Sequence, residues 1–251
     1  ADIHDELKAK LNGMTVVEAG DLPNSLDFIS ARTEFYEYPT ALPTVRRSSI
    51  KLDLHRRDFT INTMALRLDG PYYGELIDYW GGLHDLKRKL VRVLHSLSFV
   101  DDPTRLLRAI RFEQRFQFQI EPHTSKLMLE AKSLLHEVSP DRLRHELDLI
   151  LNENRVVPIL KRLGSFTLLS EIQSGLDFPD EISEAMETIL NGYNDPVWGL
   201  PEQIGNMPAR RVIGYLTWMI HYSPQLINKI AKKFHFTATL KSLLLSGCEF
   251  W

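Results

Sequence analysis

The chain has 251 residues, of which 43% are hydrophobic, so it can build one large domain or two small ones around a sizeable core. Its formal net charge of −3 excludes an argument for nucleic-acid binding from overall charge. The single cysteine, Cys248, excludes an internal disulfide and a cysteine-rich zinc site. We expect a cytoplasmic location, because the sequence shows no signal-like segment and no long apolar run.

The first part of the chain, up to about residue 96, alternates strand-like runs with helical and turn-like segments. Short β-rich runs occur at residues 15–17, 26–29 and 90–94. Another strand-like run, residues 75–79, precedes a glycine pair that predicts a flexible turn and a scaffolding role. This alternation indicates an α/β fold for the first part.

A decapeptide dense in charge begins at Arg56 and reads Arg-Arg-Asp-Phe-Thr-Ile-Asn-Thr-Met-Ala. Asp58 is predicted to cap a helix over residues 59–68, whose apolar residues approximately follow a period of 3.6. Arg56 and Arg57 would then flank a helix N-terminus, where free amides and the helix dipole favour phosphate. Asn62 fits such a site, and it fits an ordinary hydrogen bond to nearby backbone equally well.

A second charged segment, Asp-Asp-Pro-Thr-Arg, places Asp102 and Arg105 about one helical turn apart. The two side chains would present a hydrogen-bond acceptor beside a donor, which suits the amine and ring acceptors of cytosine and adenine. Uracil and guanine carry a carbonyl where the amine would be, so the carboxylate would repel them. The pair therefore predicts a preference for C and A, although an Asp before Pro103 is also an ordinary helix cap.

Arginines then recur every three residues, at Arg105, Arg108 and Arg111. At 100° per residue the first two lie close together and Arg111 lies further round the helix. Apolar residues between them supply a buried side, so the helix is either an exposed amphipathic helix or one whose polar edge lines a cleft.

Beyond Pro103 nearly every segment has a helical period, with breaks at prolines and glycines. One helix is predicted to begin at Ser139, which can cap the free amides, with Pro140 at the first helical position. Residues 191–208 are predicted to form a long irregular connection. The remainder of the chain therefore reads as all-helical.

Three segments occur in the order of three motifs of a known family: the decapeptide, residues 78–86 (Asp-Tyr-Trp-Gly-Gly-Leu-His-Asp-Leu) and residues 101–111. They resemble the second, third and fourth motifs of the class II, bacterial-type tRNA nucleotidyltransferases and poly(A) polymerases, which include the CCA-adding enzymes. The resemblance implies an α+β protein with three parts. These are an α/β nucleotidyltransferase head (1–96) that lacks the first motif, a helical neck with the nucleotide-selecting motif (97–165), and a helical body (166–251) whose abrupt end suggests truncation.

The resemblance also implies a reaction, the template-independent addition of C and/or A to the 3′ end of tRNA from CTP and ATP, with Mg²⁺ as cofactor. Protein side chains, Asp102 and Arg105 among them, would take the place of a template, and the arginines would hold the triphosphate. The residues that the resemblance assigns to nucleotide binding are Arg57, Asp58, Asn62, Asp102, Arg105, Arg108 and Arg111.

The family holds its metal ions with an Asp-x-Asp pair after a glycine-rich turn, and this sequence contains no such pair. No catalytic residue is therefore assigned. Asp27, in a strand-like run, is a candidate for one additional carboxylate near the metals. The sequence predicts a nucleotide-selecting half-site that is inactive without the carboxylate pair.

Three alternatives stay open at this stage. The motifs do not separate enzymes that add CCA, CC, A or poly(A), and a non-catalytic fragment that binds RNA or nucleotides would carry the same motifs. The dipeptides His4-Asp5 and His84-Asp85 are similar to the metal-binding dyad of HD-type phosphohydrolases. Such a site needs further His and Asp ligands that the sequence does not offer in a matching pattern. The oligomeric state is not predicted.

Overall fold

The computed structural model describes residues 28–35 and 44–249, and the structural statements that follow concern these residues alone. The chain divides into two compact units, Ala1–Ala31 and Arg32–Trp251. Of the first unit only residues 28–31 are described, and they form no helix or strand, so the strand predicted at 26–29 is not seen in its described part. The predicted strand at 15–17 and the candidate metal ligand Asp27 lie outside the described residues.

The described strands are short and pair two by two, which leaves each sheet as a ribbon that packs on helices. The first two pairs are antiparallel hairpins, and the third is a parallel pair that joins the α/β part of the chain to the helical part. The strands are β1 (Arg32–Phe35) with β2 (Thr44–Arg47), β3 (Met64–Leu66) with β4 (Leu76–Asp78), β5 (Leu90–Val91) with β6 (Gln119–Ile120), and β7 (Gln203–Ile204) with β8 (Met207–Pro208).

Helices account for most of the chain after residue 97, as the sequence predicts. The α-helices are α1 (Ile50–His55), α2 (Gly82–Lys87), α3 (Ser98–Asp101), α4 (Arg105–Phe116), α5 (Pro122–Ala131), α6 (Pro140–Leu151), α7 (Val156–Ser165), α8 (Leu168–Ile172), α9 (Ser183–Gly192), α10 (Ala209–Met219), α11 (Pro224–Lys233) and α12 (Ala238–Cys248). The α+β head and helical body expected from the sequence are therefore confirmed. The boundaries at residues 96 and 165 stay predictions.

The helix predicted over residues 59–68 is wrong. Phe59 forms a bridge with Val93, residues Thr60–Asn62 form a single 3₁₀ turn, and β3 follows. β-Branched residues in this stretch disfavour a helix, and pairing with β4 satisfies the backbone groups that a helix would have satisfied. The approximate helical period of the apolar residues could not distinguish these outcomes over so short a segment.

The turn predicted at the glycine pair is present and fixes the start of α2. Gly81 has φ +73°, in the left-handed region that glycine adopts readily. The Asp78 carboxylate accepts hydrogen bonds from the backbone amides of Gly82 at 2.8 Å and Leu83 at 2.9 Å. A Cβ at Gly82 would press on the Thr60 carbonyl oxygen, so this motif positions the decapeptide by direct contact.

One hydrophobic core runs from α4 through the helical part of the chain. Helix α4 packs against α7, and α10 packs against α6, α9 and α12. Helix α6 begins at Pro140 as predicted, but the Ser139 hydroxyl makes no capping hydrogen bond. The Ser139 carbonyl accepts the ordinary first hydrogen bonds of the helix, from the Arg142 and Leu143 amides. Residues 193–208 contain only a 3₁₀ turn and the short β7–β8 hairpin, consistent with the predicted irregular connection. No helix in the described ranges is both long and apolar enough to cross a bilayer.

Candidate functional site

A polar cleft of about 500 Å³ lies between the decapeptide, α4 and α6. This volume falls within the range of roughly 300–1,000 Å³ that is usual for small-molecule sites. Segments far apart in sequence contribute its walls, and all of the side chains that line it are charged or polar. The lining residues are Glu34, Arg56, Arg57, Asp58, Asn62, Asp102, Thr104, Arg105, Arg108, Arg142, His145 and Glu146.

The two arginines that begin the decapeptide follow the C-terminus of a helix, so their predicted place at a helix N-terminus is wrong. Helix α1 ends at His55, and Arg56 is its C-terminal cap. The buried Asp53 carboxylate accepts from Arg56 at 2.9 Å and from Arg57 at 3.0 Å. Burial raises the pKa of Asp53, but hydrogen bonds from both arginines and the Arg32 amide outweigh it and hold the pKa below its ordinary value. The positive charge at this place therefore comes from the arginine side chains and not from a helix N-terminus.

Asp58 connects the decapeptide to helix α4. Its buried carboxylate accepts from Asn62 Nδ2 at 2.8 Å and from Arg108 Nη2 at 2.5 Å and Nε at 2.9 Å. Burial raises the pKa of Asp58, but the charge of Arg108 and the Asn62 hydrogen bond outweigh it and lower the pKa below its ordinary value. Asp58 caps no helix. It links two walls of the cleft as an ionised carboxylate.

Asp102 is held at the cleft by an asymmetric set of hydrogen bonds. Its Oδ1 accepts from the Thr104 amide at 3.0 Å, the Thr104 hydroxyl at 2.6 Å and Arg142 Nη2 at 2.6 Å. Its Oδ2 accepts no hydrogen bond from any residue that the structure describes. Helix α4 itself starts only at Arg105, so Asp102 caps the turn before the helix. One carboxylate oxygen is thus fixed and the other is available.

Arg105 also lines the cleft but forms no ion pair with Asp102. Its side chain is buried, and its guanidinium donates to Ser98 Oγ at 2.6 Å and to the Arg56 carbonyl at 2.9 Å. Asp102 and Arg105 both line the cleft, but the ion-pair partner of Asp102 is Arg142 on α6. Arg105 fixes the backbone at the start of the decapeptide.

The structure brings together six of the seven predicted nucleotide-binding residues, and Arg111 is the exception. Arg111 is buried behind the cleft, where it pairs with Glu146 at 3.4 Å and with Glu153 at 3.3 Å. The sequence predicts that Arg111 lies further round the helix than Arg105 and Arg108. In the structure Arg105 and Arg108 line the cleft and Arg111 does not.

Helix α6 contributes three cleft residues that sequence reasoning did not assign, namely Arg142, His145 and Glu146. Glu146 is buried and pairs with both Arg108 and Arg111. The predicted helix start at Ser139 put Arg142 in a first turn, but no spacing rule places it beside an aspartate 40 residues earlier. Only the packing of α6 on α4 brings them together.

The described residues contain no cluster of candidate metal ligands. Residues 28–35 and 44–249 contain no group of three or more His, Cys, Asp or Glu side chains that could hold a metal ion. Asp27 and the His4-Asp5 dipeptide lie outside these ranges. The His84-Asp85 dipeptide has a structural place, because Asp85 is buried and accepts from Thr60 Oγ1 at 2.7 Å and from Arg92 Nε at 2.9 Å.

Two parts of the chain match known families. Residues 3–92 match the poly A polymerase head domain. Residues 117–178 match the region described as a probable RNA and SrmB-binding site of polymerase A. The three motif segments lie within or directly between these two matches.

Curated relatives with similar sequences are tRNA nucleotidyltransferases. The chain is 51% identical over 153 residues to an A-adding tRNA nucleotidyltransferase of Geobacter sulfurreducens, which covers 60% of this chain and 17% of the relative. It is 49% identical over 215 residues to one of Halalkalibacterium halodurans, which covers 83% of this chain and 49% of the relative. A CCA-adding enzyme of Bacillus licheniformis is 34% identical over 146 residues, which cover 57% of this chain and 35% of the relative. The chain thus spans half or less of the length of these relatives.

Solved structures of CCA-adding enzymes share the fold. An apo form superposes with a TM-score of 0.74 at 36% identity and covers 85% of this chain and 50% of that one. Complexes of CCA-adding enzyme with CTP and with ATP give TM-scores of 0.64 and 0.66 at 36% identity, each covering 77% of this chain and 46% of the other.

Proposed function

Because the chain belongs to the tRNA nucleotidyltransferase and poly(A) polymerase family, we propose that its polar cleft selects ATP and/or CTP for addition to the 3′ end of tRNA. The observation that carries this proposal is the Asp102 carboxylate, which has one oxygen fixed by Thr104 and Arg142 and the other free for a base amine. A preorganised acceptor beside a guanidinium suits cytosine and adenine and repels the carbonyl of uracil or guanine.

Two arginines of the cleft support binding of a triphosphate. The Arg57 side chain is 44% exposed and lines the same cleft as Arg108. Planar guanidinium groups bind phosphate oxygens through two parallel hydrogen bonds. In this proposal Arg57 and Arg108 hold the phosphates, while Asp58 and Asn62 fix Arg108 and the ribose side of the site. Arg105 positions the Arg56 backbone and contributes charge to the base side.

Adenosine is the better supported of the two nucleotides. The A-adding relatives are 44–51% identical to this chain, whereas the CCA-adding relatives are 29–40% identical. We therefore expect the complete protein to add A, and addition of CCA is the second possibility within the same family. The described residues contain no group of three or more His, Cys, Asp or Glu side chains that could hold a metal ion, so the cleft is proposed for nucleotide selection and not for the bond-forming step.

The test is the binding of each of the four ribonucleoside triphosphates to this chain, measured by calorimetry. ATP or CTP should bind at least about tenfold more tightly than UTP and GTP, since one specific hydrogen-bonding pair typically discriminates by roughly 1–3 kcal/mol. Asp102→Ala should remove this preference, and Arg57→Ala should weaken all four nucleotides together. Asp101→Ala, one residue away, is the matched control and should leave the preference unchanged.

Two results would contradict the proposal. Equal affinities for all four nucleotides would remove base selection from the cleft, and an unchanged preference in Asp102→Ala would remove Asp102 from that role. Extension of a tRNA that lacks its 3′ CCA, by a version of the protein with a complete family-type N-terminus, then shows whether A, CC, CCA or a longer tail is made. Nucleotide binding without extension would restrict the role to binding.

A further inference from the structure

Three rings meet where α1, the glycine motif of residues 78–86 and the segment before α3 come together. His55 is the last residue of α1, and its ring is stacked on that of His95, with centroids 5.7 Å apart and an angle of 17° between the planes. The Trp80 ring lies 5.3 Å from the His55 ring. We call these three side chains the ring cluster. None of them lines the polar cleft.

The ring cluster is joined on both sides to residues that do line the cleft. Arg57 follows two residues after His55. The His95 carbonyl accepts from the Ser98 amide at 3.1 Å and so opens the turn into α3, and Asp102 comes directly after that helix. A shift of one imidazole against the other would therefore move Arg57 relative to Asp102.

The position of α1 depends on contacts of this kind. The helix has only six residues, and two of them are buried. Lys51, one turn before His55, lies 5.4 Å from the centre of the Tyr79 ring. Tyr79 packs edge-on against Trp80, with centroids 5.4 Å apart. Ring pairs favour a few defined geometries, so these contacts orient α1 on the glycine motif.

His95 is the member of the cluster whose charge matters. Its Nε2 lies 3.7 Å from the Asp101 carboxylate on α3, and it also faces Arg105 on α4 and His55 on α1. Burial, together with the charges of Arg105 and His55, outweighs the attraction of Asp101 and lowers the pKa of His95 below its ordinary value. At neutral pH the stack therefore contains an uncharged His95.

A proton on His95 would act on the hydrogen bonds that fasten the two sides together. Arg105 donates to Ser98 Oγ at 2.6 Å and to the Arg56 carbonyl at 2.9 Å. A cation at His95 repels this guanidinium and attracts the Asp101 carboxylate. The same proton thus weakens the ring stack and the link between α3 and the start of the decapeptide.

We propose that the ring cluster positions the phosphate-binding arginines of the cleft, and that it does so only while His95 is uncharged. This inference rests on the proposed function, since it takes the cleft as the nucleotide site. His55 and His95 are positioning residues that act through α1 and Arg105. Acid therefore weakens all four nucleotides by the same factor and leaves the preference among bases, which Asp102 sets, unchanged.

The experiment measures nucleotide affinity by calorimetry from about pH 8 to about pH 5, the range in which histidines titrate. At neutral pH, His95→Ala should weaken ATP about fivefold, because a ring contact is lost, and His95→Phe should restore most of that loss. Below a pH of about 6.5 the wild-type affinity should fall relative to that of His95→Phe, which has no proton to gain. The ratio of the two affinities cancels the ionisation of the nucleotide, because both proteins bind the same ligand.

Two further variants sharpen this profile. Asp101→Asn should move the acid loss to lower pH, because the Asp101 charge raises the pKa of His95 and the amide does not. His123→Phe is the matched control, since His123 is an exposed histidine that lines no part of the cleft. It should keep the wild-type profile.

Parallel pH profiles of wild type and His95→Phe would overturn the inference, even where His95→Ala does not fold. So would a folded His95→Ala variant with full nucleotide affinity at neutral pH. Selection of ATP or CTP by the wild type, with affinities that the His95 substitutions leave unchanged at every pH, overturns this inference alone. Absence of nucleotide binding in the wild-type chain overturns the proposed function with it.

Discussion

The polar cleft and the helical body bury opposite kinds of side chain. In the cleft the buried groups are charged, among them Asp58, Arg105 and Glu146. In the body the largest fully buried side chains are aromatic and aliphatic, among them Trp218 and Phe234. Buried ion pairs usually stabilise a fold no better than apolar residues of the same volume. The charges of the cleft are therefore better explained by what the cleft binds than by stability.

The two regions also differ in how their buried polar groups form hydrogen bonds. Cleft acids accept from several donors at once, as Asp58 does from Asn62 and Arg108. In the body, Trp218 satisfies its single indole N–H by donating to the Asp177 carbonyl at 2.6 Å and otherwise contributes apolar area. Substitutions in the body should thus change stability, whereas substitutions in the cleft should change binding more than stability.

The largest expected effect lies in the body. Trp218→Ala should lower the free energy of unfolding by about 3–5 kcal/mol, because it leaves a large cavity in a close-packed core. Urea unfolding measures this change. Trp198→Ala is the control, since Trp198 is 66% exposed and its loss should cost less than about 0.5 kcal/mol. A similar cost for both tryptophans would contradict the assignment of the core.

The next effect lies in the cleft. Asp58→Asn should cost about 2 kcal/mol, because it removes the charge opposite the partly buried Arg108, which retains only Glu146. Nucleotide binding to the folded protein should fall more than tenfold, as measured by calorimetry. Asp69→Asn, at a side chain that is 79% exposed, should change neither quantity. A variant that loses stability but keeps its nucleotide affinity would make Asp58 a structural residue.

A smaller effect is expected at the contact between the glycine motif and the decapeptide. Gly82→Ala should cost about 1–3 kcal/mol, because the new Cβ would lie 2.4 Å from the Thr60 carbonyl oxygen and 2.9 Å from the Met64 Cγ. The same substitution at Gly164, in α7 with open space around it, should stabilise the protein by up to about 1 kcal/mol. Thermal unfolding of both variants tests the contact, and a Gly82→Ala variant that is as stable as the wild type would contradict it.

The smallest expected effect is a difference in pH dependence. The pKa of Asp58 is lower in the folded protein than in the unfolded chain, so its stabilising contribution is complete above the unfolded pKa. The contribution is lost as the pH falls through the folded pKa, when the carboxylate takes up a proton. Stabilities of wild type and Asp58→Asn, measured by urea unfolding from neutral to acid pH, should therefore converge as the pH falls. A constant difference over that range would show that the Asp58 charge does not set the stability.

Much of the secondary structure followed from local sequence, with one clear error. Pro140 marked the start of α6, and the glycine pair marked the turn before α2. The decapeptide was wrong because its backbone partners, Val93 and β4, lie well downstream, and long-range pairing outweighs a short apolar period. Ser139 shows a similar limit, since its residue type predicted a capping side chain but its hydroxyl makes no capping hydrogen bond.

The sequence by itself determined the family and six of the residues that line the cleft, because the motifs and their order are local features of the chain. It also determined the helical character after Pro103, because helical periodicity is a local pattern. Only the tertiary structure decided which charges meet. It pairs Asp102 with Arg142 and not with Arg105, and it places Arg111 outside the cleft, paired with Glu146 and Glu153. The physical reason is that an ion pair depends on the distance between two charged groups, and that distance is set by how α4 packs on α6.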